Sequence, residues 1–180
     1  MTMKTESIRE ESVTPPDQTR GFSFNHTMLR VKEPERSLDF YCRIIGMRLL
    51  RKIDFPDLRF SLYFLRFCTS EDSVPQDSAE RTCWLFGQSG VLELTHNWGT
   101  ETDPDFSYHD GNRQPQGFGH LCVSVPDLAA AVSWFDENNI AFVKRPDEGK
   151  MKDIAFIKDP DGYWIEILQP DLLGELGRTR

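Results

Sequence analysis

Four residues have the types and the settings to do chemistry: His26, Glu93, His120 and Glu166. Each sits in an apolar, strand-like run; the runs are FNHTMLRV, GVLELTHN, GHLCVSV and YWIEILQ. An ionised carboxylate in such a run is strongly disfavoured unless something replaces its lost hydration. A divalent metal shared with histidine nitrogens is the simplest replacement. Two neutral imidazoles and two carboxylates balance the charge of such an ion. They form an N/O set suited to zinc, nickel, cobalt or manganese, without the thiolates of a structural zinc finger. A six-coordinate ion would keep two positions open. It could then polarise a carbonyl while a glutamate at its edge works as general base on an adjacent C–H.

The elements that must position these residues come as a loose internal repeat. One copy begins His26-Thr-Met-Leu-Arg-Val and continues into the helix-like run SLDFYCRIIGM; the other begins His120-Leu-Cys-Val-Ser-Val and continues into LAAAVSWFDENNI. Leu38, Tyr41, Ile44 and Ile45 fall at helical spacing, as do Leu128, Ala131, Val132 and Phe135. Asp127 is the expected N-cap of the second helix and Ser37 or Glu35 of the first, while Gly46 should close the first. Three strand-like segments follow each helix: MRLLRKIDF, RFSLYFLRF and GVLELTHNW, then IAFVKR, MKDIAFIKD and YWIEILQP, with a DPDG hairpin signal at 159–162. Each half therefore reads as βαβββ. A module of roughly 70 residues hardly closes a core alone, so two should pack together.

His26 and Glu93 are 67 positions apart and His120 and Glu166 only 46, so the first half carries an insertion. The polar segment CTSEDSVPQDSAERTCW supplies it and is expected as a long loop at 68–83. The expected layout is a polar N-terminal arm at 1–21, a first module at 22–115 with an irregular linker at 98–115, a second module at 116–170 and a tail at 171–180. Strand alternation puts His26 on one face with Met28 and Arg30, and Glu93 with Thr95 and Asn97. It likewise groups His120 with Cys122 and Ser124, and Glu166 with Trp164 and Leu168. Arg30 and Asn97 thus bring a carboxylate-binding guanidinium and an amide toward the metal. Phe60, Leu62 and Phe64 form one side of their strand and could wall the cavity. His96 and His109 lack the repeat's symmetry and are not expected as ligands.

Composition sets outer limits. The chain of 180 residues carries a net charge of -8, which argues against a nucleic-acid partner, and no apolar run is long enough for a membrane span. The N-terminal stretch is polar and is not a secretory signal. Cys42, Cys68, Cys83 and Cys122 show no C-x-x-C spacing and fit single thiols in a reducing cytoplasm.

At these residues the chain closely resembles the glyoxalase I (lactoylglutathione lyase) family of eukaryotic type, over about 22–170. The segments that carry the resemblance are NHTMLRVKEPERSLDFYCRIIGM, DFPDLRFSLYFL, LELTHNWGTE, YHDGN, GFGHLCVSVPDL and GKMKDIAFIKDPDGYWIEILQP. The implied fold is the α+β vicinal oxygen chelate arrangement: two paired βαβββ modules forming an eight-stranded curved sheet around a metal site. The implied reaction turns the hemithioacetal of methylglyoxal and glutathione into S-lactoylglutathione through a metal-held enediolate, detoxifying methylglyoxal. The resemblance makes His26, Glu93, His120 and Glu166 the ligands, with Glu166 the principal proton carrier and Glu93 its counterpart. Many family members have glutamine at the position of His26.

The resemblance further implies that Arg30 and Asn97 hold the γ-glutamyl end of glutathione. Lys150 and Met151 lie in a segment that closes near the glycyl end, and Phe55, Leu58, Phe60, Leu62 and Phe64 surround the transferred group. His120 also borders the substrate. Gln116 stands where the family commonly has an arginine, with Arg113 three residues earlier. A homodimer with sites shared between chains is expected, although spacing alone leaves an intrachain site open. One divalent ion per site is implied, zinc in preference to nickel, because the 68–83 segment is typical of zinc-using members. Two other readings fit the fold: an iron dioxygenase holding its metal with two His and one Glu, and a metal-free drug-binding protein. Glu93 argues against the first, and the whole quartet against the second.

Overall fold

Alternating side chains and two short amphipathic helices build the same unit twice. The computed structural model describes residues 14–174. The first unit runs β1 (His26–Arg30), α1 (Pro34–Asp39), β2 (Arg48–Phe55), β3 (Phe60–Arg66) and β4 (Val91–Asn97), with a helix α2 (Ser78–Phe86) between β3 and β4. The second runs β5 (His120–Ser124), α3 (Leu128–Glu137), β6 (Phe142–Lys144), β7 (Ile154–Lys158) and β8 (Trp164–Leu168). Residues 1–13 of the expected N-terminal arm and 175–180 of the expected tail lie outside the described residues.

The strand orders are β1-β4-β3-β2 and β5-β8-β7-β6. In each sheet the first strand lies parallel to the last and the other pairings are antiparallel. Each parallel pairing is made possible by the crossover helix. Within one chain the eight strands therefore form two four-stranded sheets, not one continuous eight-stranded ladder. The sheets meet through side chains. Leu29, Val31, Tyr63, Leu65, Leu92 and Leu94 from the first share a single core with Ala155, Ile157, Ile165 and Ile167 from the second, along with residues of α1 and α3. His26, Glu93, His120 and Glu166 alternate with these residues, so the faces that carry them turn away from the shared core.

Polar bonds reinforce the packing between units. The Tyr41 hydroxyl donates to Asp159 Oδ2 (2.9 Å), Lys32 N to Asp161 Oδ1 (2.9 Å) and Trp134 Nε1 to the Ile44 carbonyl (2.9 Å). Asp159 and Asp161 belong to the DPDG turn, which joins β7 to antiparallel β8 as a hairpin.

Local details correct three expectations. The 68–83 insertion is not wholly a loop: it leads into α2, which Asp77 caps by accepting from Ala79 N and Glu80 N, and which ends at Gly87. Neither Ser37 nor Glu35 caps α1. Glu33 holds that position without a side-chain bond, and Ser37 is buried inside the helix, its hydroxyl against the Glu33 carbonyl and Asp161 Oδ2. The first helix also widens into a π turn over Phe40–Ile44, where Phe40, Tyr41 and Ile44 are all buried. Asp127 does cap α3, accepting from Ala130 N, and Gly46 follows the first helix with φ +88°.

Candidate active site

The register of β1 on β4 sets Met28 opposite Glu93 and His26 opposite Val91. In-register partners share a face, so His26, Met28 and Arg30 stand beside Glu93 and Thr95. His26 Nε2 lies 3.1 Å from Glu93 Oε2. The second sheet repeats the construction with the same offset: Cys122 opposes Glu166, His120 opposes Trp164, and His120 Nε2 lies 3.2 Å from Glu166 Oε2. Both carboxylates are mostly buried and both imidazoles partly exposed, with side-chain exposures of 13% and 17% against 33% and 41%. Donors pointed outward from rigid strands in this way can be reached by an ion from solvent.

This donor set fits a divalent metal. Two donors each about 2.1 Å from one ion, at roughly a right angle, are about 3 Å apart, the spacing seen in both pairs. Among the described residues, no group of three or more His, Cys, Asp or Glu side chains is placed to hold one ion. The four sequence-predicted ligands are therefore brought together as two pairs, each on its own sheet.

The surroundings of the first pair follow from pairing across β4, β3 and β2. Phe64 opposes Glu93, Leu62 opposes Thr95 and Phe60 opposes Asn97, so all three line the face that carries the pair. Phe55 stacks on Phe60 with ring centroids 4.7 Å apart. Leu58 leaves the sheet on the 3-10 turn Pro56–Leu58 and is 67% exposed. Arg30 is exposed beside this wall, and Asn97 Nδ2 donates to the Tyr108 hydroxyl (3.0 Å). Thr95 Oγ1 donates to Glu93 Oε1 (3.1 Å), leaving the second carboxylate oxygen toward His26.

Gln116 is exposed on the connector before β5. That connector folds back because Gly111, at φ +86°, accepts Gly117 N on its carbonyl; a Cβ there would collide with the Phe118 carbonyl. Lys150 and Met151 are exposed on the loop between β6 and β7. Lys144 closes the base of that loop by donating to the Arg145 (3.0 Å) and Ile154 (2.7 Å) carbonyls. His96 and His109 stand elsewhere. His96 is buried on the opposite face against Glu101 Oε2 (2.7 Å), and His109 Nδ1 accepts from Gly111 N (2.9 Å).

Sequence reasoning missed several neighbours of the pairs. Leu85 joins Phe64, Leu50 and Val91 in a second small core, with Trp84 packed against it, and the Phe86 ring stands edge-on to His26 at 6.3 Å. Arg51 is brought opposite Phe64 by a bulge at Leu50, a shift with no sequence signal. Cys122, which strand alternation had already grouped with His120, lies opposite Glu166; burial, then the nearby carboxylate, pushes its thiol up to about 11.

The profile of the Glyoxalase/Bleomycin resistance protein/Dioxygenase superfamily matches residues 23–167, a span that contains both pairs. A lactoylglutathione lyase of Pseudomonas aeruginosa is 55% identical over 178 residues, covering 99% of each chain. The chain belongs to the glyoxalase I family of that superfamily. The glyoxalase I of Saccharomyces cerevisiae is 44% identical over 161 residues, covering 88% of this chain and 46% of that one, about half its length. Two solved glyoxalase I structures share the fold. The trypanothione-dependent enzyme of Leishmania major matches with TM-score 0.64 and 30% identity over 88% of this chain and 94% of that one. The Zea mays enzyme matches with TM-score 0.60 and 27% identity, covering 81% and 44%. In this member of the glyoxalase I family, the duplicated βαβββ unit is what places a histidine and a glutamate at the same offset on two sheets.

Proposed function

We propose that this member of the glyoxalase I family is a metal-dependent lactoylglutathione lyase, converting the hemithioacetal of methylglyoxal and glutathione into S-lactoylglutathione and so detoxifying methylglyoxal. One observation carries the reading: two His/Glu pairs at equal offset on equivalent strands, with N···O distances of 3.1 and 3.2 Å. The name of the 55% identical Pseudomonas relative supports glutathione as the thiol.

His26, Glu93, His120 and Glu166 would hold one divalent ion, which when bound polarises the substrate carbonyl and makes the adjacent C–H more acidic. Glu166 takes the proton from the carbon bearing sulfur and returns it to the neighbouring carbon, while hydroxyl and carbonyl exchange places; no electrons enter or leave. Glu93 does the corresponding work on the opposite side. Arg30 and Asn97 bind the γ-glutamyl end through charge-assisted hydrogen bonds. Phe55, Leu58, Phe60, Leu62 and Phe64 take the methyl group and limit water. Lys150 and Met151 close over the glycyl end, and Gln116 contributes a neutral contact.

Complete sites are shared in a homodimer, His26 and Glu93 from one chain meeting His120 and Glu166 of the other. The outward direction of both ligand faces, away from the common core, supports this. So does the exposed apolar surface of Met28, Phe55, Leu58 and Phe118. Zinc is the proposed ion, in preference to nickel, on the N/O donor set and the inserted segment. A cytoplasmic location is supported by four free cysteines. No described helix is long and apolar enough to cross a membrane.

The test is the absorbance of thioester formed from methylglyoxal and glutathione, with and without a chelator. Turnover that stops on chelation and returns with zinc is expected. Absence of thioester from metal-replete protein would reject the reading.

A further inference from the structure

The residue immediately before β1 connects the inserted helix to the first half-site. The two hydrogens of Asn25 Nδ2 are directed among three main-chain carbonyls at and just past the C-terminal end of α2, one hydrogen being shared: Leu85 (3.2 Å), Phe86 (3.1 Å) and Gln88 (2.6 Å). Carbonyls at a helix end lack α-helical partners and seek donors from elsewhere. With the amide hydrogens committed there, Asn25 Oδ1 faces His26 and lies 2.6 Å from its Nδ1. The amide's orientation is decided by the acceptors: turned over, it would set its oxygen against three carbonyl oxygens.

An oxygen acceptor at that distance requires the hydrogen on Nδ1. A neutral His26 then keeps a bare lone pair on Nε2, the nitrogen 3.1 Å from Glu93 Oε2. Two lone pairs at that separation repel unless a cation stands between them, so this tautomer is ready for a metal. Phe64 and Phe86 hold the ring plane with edge contacts at 6.1 and 6.3 Å. The second half-site is built otherwise: Gly119 precedes His120 and has no side chain, and that module has no inserted helix.

We propose that Asn25 is a positioning residue: its amide ties the C-terminal end of α2 to His26 and holds that imidazole with Nδ1 protonated and Nε2 free for the metal. The proposal rests on reading His26 as a ligand, yet its first test needs no metal. Nitrogen NMR of the imidazoles in the metal-free protein, at mildly alkaline pH, should show His26 as the Nδ1–H tautomer. Asn25→Asp keeps an acceptor for His26 but replaces the donor with an oxygen that the α2 carbonyls repel; it should retain the tautomer while the end of α2 loosens and the amides of residues 85–88 exchange faster. Asn25→Ala should lose both features. Zinc affinity, read by competition with a coloured chelator, should fall about 10–100-fold in Asn25→Ala and stay within a few-fold of wild type in Asn25→Asp. An Nε2–H tautomer in the wild type would overturn the proposal, as would equal zinc affinity in all three proteins or equal loss in both variants. A wild type that binds no zinc but shows the Nδ1–H tautomer would count against the proposed function alone.

Discussion

Glu166 and Glu93 look alike by residue type and by partner, each about 3 Å from a histidine Nε2, but their neighbours differ. Glu93 receives the Thr95 hydroxyl, whereas Glu166 faces the Cys122 thiol, a weaker donor. Less restraint on Glu166 fits its proposed role of moving a proton. Glu166→Gln should therefore leave the far-ultraviolet circular dichroism unchanged and lower kcat by about 10²–10⁴-fold in the thioester assay. Activity near wild type would remove Glu166 from the chemistry. Arg30 stands exposed on the face of the first sheet that carries His26 and Glu93, with no metal-binding atom. Arg30→Ala should raise KM for the hemithioacetal by about 10-fold or more, the worth of a charged hydrogen bond, and leave bound metal unchanged. An unchanged KM would reject the contact.

At the scale of the element, the strands were legible because burial imposes a period of two. Leu92, Leu94, Ile165 and Ile167 alternate with the glutamates, and the runs show it directly. Helix α2 carried signals too: Asp77 with Glu80 three residues on, and Gly87 beyond the last turn. Dividing the chain at Cys83 cut that helix in two and hid its apolar face. The hairpin turn at 159–162 has its own consequence. Burial, acting first, raises the Asp159 carboxyl from 3.8 to about 6, although the Tyr41 hydroxyl and the Tyr163 and Asp161 amides favour its charged form. A group whose folded pKa is raised stabilises the fold fully below its unfolded pKa and loses that contribution as pH rises through the folded value. Asp159→Asn removes this dependence. In urea unfolding, the variant's stability relative to wild type should rise between pH 4 and about 6 and then level off. A difference that stays flat across that window would refute the assignment.

For the whole molecule the decisive fact is which way the sheets face. One core takes the inner faces of both, and the two His/Glu pairs are left on the outer faces. In the proposed dimer a single chain would offer two half-sites, which a second copy would complete through a twofold, self-complementary interface. Mixed dimers test this. Glu93→Gln and Glu166→Gln chains, each inactive alone, should regain about a quarter of wild-type activity when co-refolded in equal amounts, because half the dimers are mixed and each has one intact site. Sites built within one chain would show no recovery.

His26, Glu93, His120 and Glu166 could be picked from the sequence because a charged group in an apolar strand is anomalous wherever that strand lies. The repeat and the strand faces followed from periodicity, which depends only on neighbours along the chain. Three-dimensional packing decided the rest: the bulge that turns Arg51 onto the site face, the amide of Asn25 between α2 and His26, and the division of the quartet into two outward pairs. Those features depend on contacts between segments more than 40 positions apart, or on a single extra residue in a strand, and local sequence patterns carry no record of either.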